Sequence, residues 1–346
     1  MKPAFTDLIG NEHLRLLLRD EILSHRLSHA YILDGAKGIG KHTLALRIAA
    51  ALACEAAENP TLSLPCLQCP SCKKILSGNS PDVITISRED KATLGVEAIR
   101  QLKNDVLIAP NDISAKIYII EDAHLMTSQA QNALLLTLEE PPPYVLFLLL
   151  CERTETLLET IRSRAPILRL APLSPEQIKN YLVEKTPEAK AMQKNAPHEL
   201  EEISIVAGGC IGRALTLLEP KKYKPLLDRR NDARAFVRLC QGKNNSADVL
   251  RFLNNLSTKR EELTEQCNAV LLCLRDLLLC KQSETAPLCF FANREEAYAM
   301  AYDFTSPTLL TLTSAVTNAV ERLRMNANVR LTVMALTTEC GLLHTV

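Results

Sequence analysis

The sequence has no excess of charge of either sign. Its 346 residues include 40 lysines and arginines and 40 aspartates and glutamates. A balanced chain produces no overall electric field that would attract it to nucleic acid, so any contact with DNA must come from a local patch or from a partner. The composition therefore argues against a strongly basic nucleic-acid-binding protein.

Long hydrophobic runs are also missing. Spanning a bilayer takes about 18 consecutive apolar residues. The run "VLFLLLC" at 145–151 is much shorter and predicts a buried strand. No apolar signal segment opens the sequence, which favours a cytoplasmic protein without a membrane partner. Internal repeats and low-complexity tracts are absent as well.

A disulfide framework is not indicated, although the chain has 12 cysteines. Four of them lie between Cys54 and Cys72, and the other eight are scattered singly, mostly in apolar helical contexts. A chain of this length without a secretory signal is expected to keep the scattered thiols reduced in its core. The four clustered cysteines call for another explanation.

Strand and helix patterns alternate through the first half of the chain. Strands are predicted at 30–35, 81–87, 116–122, 144–151 and 165–170, and helices at 41–54, 96–108 and 128–140. This alternation predicts an α/β fold with a parallel sheet covered by helices on both faces. Beyond residue 170 the periodic segments are helical. We therefore predict an α/β core at 1–170, a small helical domain at 171–223 and an all-helical domain at 224–346.

The segment "DGAKGIGKHT" (34–43) has the spacing of a phosphate-binding loop. Gly35, Gly40 and Lys41 match G-x-x-x-x-G-K-[ST], with Gly38 between them, and the loop joins a predicted strand to a predicted helix as the pattern requires. The glycines let backbone N–H groups surround phosphate oxygens, and the lysine reaches the outer phosphates. A glycine turn with a purely structural role is the alternative.

The residue after the lysine departs from this pattern. His42 stands where a magnesium-binding hydroxyl is expected, and imidazole suits zinc or copper better than magnesium. Thr43 supplies a hydroxyl one position later, but one helical residue rotates it by about 100°. Nucleotide could still bind through the backbone and Lys41, whereas metal-assisted hydrolysis should suffer.

A second acidic element ends the predicted strand "KIYIIED". P-loop ATPases usually carry Asp-Glu here, with the Asp near magnesium and the Glu orienting the attacking water. This chain has Glu121-Asp122. The swap shortens the presumed base by one methylene, and a displacement of about one ångström can cost roughly a hundredfold in rate. Two acids that merely cap a strand-to-helix turn are the alternative.

The clustered cysteines have the spacing of a zinc site. Cys66, Cys69 and Cys72 form two overlapping C-x-x-C steps, and Cys54 can supply the fourth thiolate. Four protein ligands leave no position for water, so the metal is expected to be structural and to hold a module at about 54–80. Free or redox-active cysteines are the alternative.

A further candidate is Arg164 in "ETIRSRAP" (159–166), just before the last predicted strand. An exposed arginine at such an edge can reach a phosphate in a neighbouring subunit and offset charge in the transition state. An arginine on a solvated edge with no such role is the alternative.

Taken together, these segments resemble bacterial DNA polymerase III clamp-loader subunits of the AAA+ superfamily. The match rests on the glycine loop, the four cysteines, "FTDLIGNEHL" (5–14), "ALLLTLEEPP" (133–142) and "IRSRAP" (161–166), and it covers about residues 1–215. Within the family the chain is most similar to the delta-prime subunit, a rigid and typically non-hydrolysing partner of the tau/gamma motor subunits. The resemblance implies an AAA+ P-loop core with an inserted zinc knuckle, a helical lid domain and a helical collar domain used for oligomerisation.

Departures from the motor subunits support the delta-prime interpretation. Besides His42 and the inverted Glu121-Asp122 pair, the polar sensor position falls on Cys151 and the lid arginine on Gly212, with Arg213 next to it. The arginine that serves a neighbour is retained as Arg164. On this interpretation we also expect the chain to lack the long tail of tau.

The resemblance implies a subunit that helps an ATP-driven ring load the sliding clamp on primed DNA in the replisome. Tau/gamma and delta subunits would be its partners, Arg164 would act in trans on a neighbour's ATP, and the cofactor would be structural Zn²⁺. Whether ATP or ADP binds the altered loop is left open. The alternatives are an active tau/gamma-type ATPase, a zinc-dependent nucleic-acid-binding module, and a scaffold without any catalytic part.

Overall fold

The structure is a computed structural model that describes residues 3–57, 59, 62–88, 92–241, 249, 252 and 256–342. The chain divides into two units. One comprises Met1–Tyr181 with Gly209–Arg213, and the other comprises Leu182–Gly208 with Ala214–Val346. The predicted domain boundaries at residues 170 and 223 stay a prediction.

A parallel sheet forms the centre of the first unit. Its strands are β1 (Ala30–Asp34), β2 (Val83–Ile86), β3 (Lys116–Ile120), β4 (Val145–Cys151) and β5 (Ile167–Arg169), in the order β2-β3-β4-β1-β5. All neighbouring strands pair in parallel. Asp34 pairs with Cys151, so the last residues of β1 and β4 lie side by side. The loops that leave this edge carry the candidate nucleotide residues.

Helices cover both faces of the sheet. They are α1 (Glu12–Leu23), α2 (Lys41–Leu52), α3 (Pro70–Leu76), α4 (Val96–Asp105), α5 (Ser128–Glu139) and α6 (Glu159–Arg162), and α7 (Pro175–Lys185) follows β5 along the chain. Leu33 and Leu148 pack with residues of α1 to α3, and Ile32 and Phe147 pack with residues of α4 to α6. Consecutive strand residues thus enter opposite cores, because side chains alternate across a strand. The predicted parallel sheet with both faces buried is confirmed.

Helix α4 is shorter than its sequence pattern. The predicted helix at 96–108 ends at Asp105, and Leu107 and Ile108 are exposed. The buried Lys116 ammonium group donates to the carbonyls of Asp105 and Ile108. A side chain from β3 therefore satisfies carbonyls at the helix end, which local periodicity cannot reveal.

The second unit contains the remaining described helices. They are α8 (Pro187–Asn195), α9 (Pro197–Val206), the main part of α10 (Ile211–Leu217), α11 (Pro220–Leu239), α12 (Arg260–Gln282), α13 (Arg294–Tyr302), α14 (Ser306–Arg324) and α15 (Val329–Glu339). The fully buried Asp276 accepts hydrogen bonds from the backbone N–H groups of Cys289, Phe290 and Phe291, which fixes the segment before α13. Across the described part of the chain, no helix is long and apolar enough to cross a membrane.

Candidate nucleotide and zinc sites

The glycine loop lies between β1 and α2, as its spacing predicts. Gly38 (φ +79°) and Gly40 (φ +111°) both adopt the left-handed backbone region, which glycine enters without steric cost. Gly40 is the N-cap of α2, so the helix begins at Lys41 directly after the loop. The backbone has the form that a phosphate-binding loop requires.

Lys41 is turned back onto its own loop. Its ammonium nitrogen donates to the carbonyl oxygens of Gly35 at 2.5 Å and Ala36 at 3.0 Å. Burial lowers the pKa of Lys41 below its ordinary value, although the nearby carboxylates of Glu152 and Asp122 oppose that shift. Lys41 is thus bonded to carbonyl oxygens of its own loop, whereas in a phosphate-binding loop it would contact an outer phosphate.

His42 and Glu121, two of the departures from the ATPase pattern, contact each other. His42 Nδ1 lies 2.9 Å from Glu121 Oε1, although the two atoms do not form a hydrogen bond. In an ATPase, a hydroxyl and an aspartate at these two positions would hold magnesium. Here the His42 imidazole faces Glu121, so this donor set does not fit magnesium.

Asp122 is paired as well. Its carboxylate accepts a hydrogen bond from Arg88 Nε at 3.0 Å, and its backbone has φ +49°. An aspartate in the left-handed backbone region is uncommon. Here it lies in the turn after β3. The acid that stands where a base would activate water is held by an arginine.

The remaining altered positions surround the same loop. Thr43 is exposed on α2. Cys151 ends β4 fully buried, and burial raises the pKa of its thiol to about 11. Gly212 donates its N–H to Gly38 O at 2.9 Å, and a Cβ atom at position 212 would lie 3.2 Å from both the Cα and the carbonyl oxygen of Gly38. The position where an ATPase carries an arginine is thus packed against the loop backbone.

The four clustered cysteines converge as predicted. One sulfur from each of Cys54, Cys66, Cys69 and Cys72 lies within 4.8 Å of every other. Zinc–sulfur bonds of about 2.3 Å in a tetrahedron place sulfur atoms about 3.8 Å apart, so the donor set fits zinc after a small contraction. Zinc bound here would crosslink the end of α2 to α3, where Cys69 is the N-cap.

Backbone N–H groups already point at these sulfur atoms. Cys66 N–H donates to Cys54 Sγ, Cys69 N–H to Cys66 Sγ and Cys72 N–H to Cys69 Sγ, each at 3.4 Å. Such N–H···S bonds favour thiolates and orient ligands around a metal. The pKa of Cys66 is lowered to about 7 by backbone and neighbouring thiol hydrogen bonds, which outweigh its burial.

Arg164 lies at the surface just after α6. Its NH1 donates to Thr160 O and its NH2 to Glu139 Oε1, both at 3.0 Å. The side chain remains 36% exposed. The structure therefore leaves Arg164 accessible at the edge where the sequence predicts it, and anchors it to the last residue of α5.

Sequence reasoning missed several residues of this region. Arg88 and Glu139 lie far along the chain from the residues they contact. Arg88 lies outside every quoted motif, and Glu139 lies within "ALLLTLEEPP" but was given no role. Donor atoms of Asp122, His124 and Glu152 also lie within 4.8 Å of one another. Because Asp122 is already paired with Arg88, we assign no metal to that group.

The parallel sheet, with a glycine loop between β1 and α2, defines an α/β protein of the P-loop class. Residues 10–174 match the family model described as "DNA polymerase III, delta subunit". The DNA polymerase III tau subunit of Bacillus subtilis (strain 168) is 32% identical over 295 residues, which is 82% of this chain and 51% of the relative. The gamma subunit of Buchnera aphidicola subsp. Acyrthosiphon pisum is 35% identical over 215 residues, or 62% of this chain and 58% of the relative.

The chain is thus similar to DNA polymerase III delta, tau and gamma subunits, and these matches do not distinguish the subunit types. The chain spans about half the length of the curated relatives it matches. Among solved structures, a gamma subunit-related protein of Thermotoga maritima aligns over 95% of this chain and 99% of its own, with 19% identity and a TM-score of 0.41.

Proposed function

We propose that this chain is a delta-prime-like subunit of a DNA polymerase III clamp loader. It would assist an ATP-driven ring with tau/gamma and delta subunits in placing the sliding clamp on primed DNA. In this proposal the chain contributes Arg164 to a neighbour's ATP site and does not hydrolyse ATP in its own loop. The four cysteines would hold a structural zinc ion.

The observation that carries the proposal is the internal pairing of the altered nucleotide residues. His42 contacts Glu121, and Arg88 holds Asp122. Magnesium needs oxygen ligands that are free to coordinate it, and a general base needs a carboxylate free to orient water. Both carboxylates have basic partners from the same chain, whereas Arg164 keeps an accessible guanidinium.

The decisive experiment is reconstitution of a ring with tau/gamma and delta subunits, sliding clamp and primed DNA. Arg164→Ala is compared with wild type and with the matched control Arg162→Ala, an exposed arginine two residues earlier. Losing an arginine supplied in trans costs about 10³ to 10⁵ in rate at one site in other phosphoryl-transfer systems. We therefore expect the ring to lose one site's share of ATP turnover and to load clamps more slowly.

A scaffold role predicts normal ATPase and loading with Arg164→Ala, which would contradict the proposal. Lys41→Ala provides the complementary arm, because a loop that performs no hydrolysis can lose its lysine without loss of ring turnover. Arg162→Ala should behave as wild type in both assays.

An active tau/gamma-type ATPase is the second candidate, because the reported curated relatives are tau and gamma subunits. In that case the purified chain turns over ATP with magnesium, and Lys41→Ala abolishes the activity. The paired acids favour the first proposal, for which the isolated chain shows no such turnover.

A further inference from the structure

Arg164 has an acidic partner that no sequence motif assigns. Glu139 is the last residue of α5, and its carboxylate contacts a guanidinium that belongs to the segment after α6. We propose that Glu139 is a positioning residue, which holds Arg164 in the orientation used toward a neighbouring subunit's phosphate. The inference rests on the proposed function, and it identifies Glu139 as the group that preorganises Arg164.

The position of Glu139 is unfavourable for α5 itself. The C-terminus of a helix carries partial negative charge, so a carboxylate in the last turn is destabilising unless a cation lies close by. Arg164 supplies that cation at 3.0 Å. The stability of α5 therefore does not explain why an acidic residue stands at position 139, whereas the contact with Arg164 does.

The two contacts of Arg164 fix its guanidinium between two well-packed elements. Thr160 O belongs to α6, whose Ile161 is fully buried, and Glu139 follows the buried Leu138 of α5. Contacts at both terminal nitrogens bias the guanidinium toward one orientation. Preorganisation of this kind reduces the ordering required when the side chain meets its target.

Holding the arginine does not withdraw it from use. A guanidinium has five N–H donors, and the two contacts use two of them. Among the described residues, no partner takes the other three. The side chains of Arg164 and Glu139 are 36% and 42% exposed. An ion pair at this exposure is weak, so it restricts the side chain without competing against a triphosphate.

The first test measures the steady-state ATPase of the reconstituted ring with Glu139→Ala and Glu139→Gln. A displaced reacting group costs up to about a hundredfold, and we expect Glu139→Ala to lower kcat at the affected site about tenfold without changing KM. Gln retains an oxygen acceptor for Arg164 and should lose less. Glu140→Ala, the adjacent exposed acid, serves as the matched control and should behave as wild type.

The second test separates positioning from a structural role. In an Arg164→Ala background, Glu139→Ala should have no further effect, because the group it orients is gone. In the isolated chain, ¹⁵N relaxation of the Arg164 Nε–H group should report greater side-chain mobility with Glu139→Ala than with Glu140→Ala. That measurement requires no ring.

The outcomes distinguish the two proposals. If Arg164→Ala leaves ring turnover unchanged, the proposed function is wrong, and the role of Glu139 in it is lost as well. If Arg164→Ala slows the ring but Glu139→Ala leaves kcat unchanged or raises it, only the positioning inference is overturned. Unchanged mobility of Arg164 in the Glu139→Ala chain also overturns it.

Discussion

At the residue scale, the candidate nucleotide residues contact one another or nearby groups of the same chain. Glu121 is opposite His42, Asp122 is opposite Arg88, and Lys41 is bonded to loop carbonyls. A single replacement would have left a lone charge beside the loop, which is unfavourable in a partly buried place. If the loop is inactive as proposed, we expect that reverting one of these positions alone does not create an ATPase site.

Gly212 provides a residue-scale prediction. Gly212→Arg restores the residue type of the ATPase family but places Cβ 3.2 Å from two backbone atoms of Gly38. Overpacking of this kind costs typically about 1–3 kcal/mol. We expect a lower Tm and no gain of nucleotide binding, measured by thermal unfolding with and without MgATP.

Gly95→Ala is the matched control for that variant, because a Cβ atom at position 95 meets nothing within 4 Å. Gly95 is the N-cap of α4, where alanine is less favourable than glycine, so Tm should fall only slightly and less than with Gly212→Arg. If Gly212→Arg binds MgATP and its Tm is unchanged, the close packing of this residue against the loop does not contribute to stability.

Cys151 predicts how stability depends on pH. Burial raises the pKa of its thiol from 9.0 to about 11, so the native state keeps a proton that the unfolded state releases between these values. The stabilisation is complete below pH 9 and is lost as pH rises through 11. The free energy of unfolding in urea should therefore fall less between pH 8 and pH 10 for Cys151→Ala than for wild type. Equal slopes would show that the thiol does not titrate as stated.

The sequence located the candidate site residues but not the groups that they contact. Glycine and cysteine spacing act locally, so the loop and the four thiols could be located without coordinates. The contacts of His42 with Glu121 and of Arg164 with Glu139 join separate strands and helices. They depend on strand order and register, which a single sequence does not specify.

At the element scale, the strands were predicted better than the helix ends. The long apolar run of β4 and the strand before the loop lie where their patterns place them. Helix α4 stops early where Lys116 of β3 donates hydrogen bonds to the carbonyl oxygens of Asp105 and Ile108. Tertiary hydrogen bonds of this kind override local periodicity.

The cysteine module gives an element-scale prediction. Cys69→Ser removes a thiolate ligand but leaves a hydroxyl that can accept the Cys72 N–H at the N-cap of α3, so its effect reports on metal ligation. We expect loss of bound zinc by elemental analysis and faster hydrogen exchange across 62–76. The sheet should keep its protection. Cys289→Ser, a thiol outside the cluster, is the control, and equal zinc content in the two variants would contradict the assignment.

At the scale of the whole molecule, the balanced charge predicts how strongly the chain binds nucleic acid. With 40 basic and 40 acidic residues, the isolated chain has no net field with which to release counterions from DNA. We expect weak binding to primed DNA in fluorescence anisotropy at about physiological salt. Tight, salt-sensitive binding that Cys69→Ser abolishes would instead support the zinc-dependent nucleic-acid-binding module.

The two units also differ in how readily a sequence describes them. The first has motifs that fix its loops, whereas the second is a set of amphipathic helices held by interactions such as the buried Asp276 with three backbone amides. Helical periodicity predicts that these helices exist. It does not predict their packing partners, since many pairings bury similar apolar area.

The residues at the start of the chain form backbone hydrogen bonds with the cysteine segment. Leu64 donates to Pro3 O and accepts from Phe5 N–H, in a short parallel bridge with Ala4. Trimming these few residues would therefore leave Leu64 amide groups unmatched beside the thiols. Retained zinc content is accordingly the first property to verify in any shortened recombinant form.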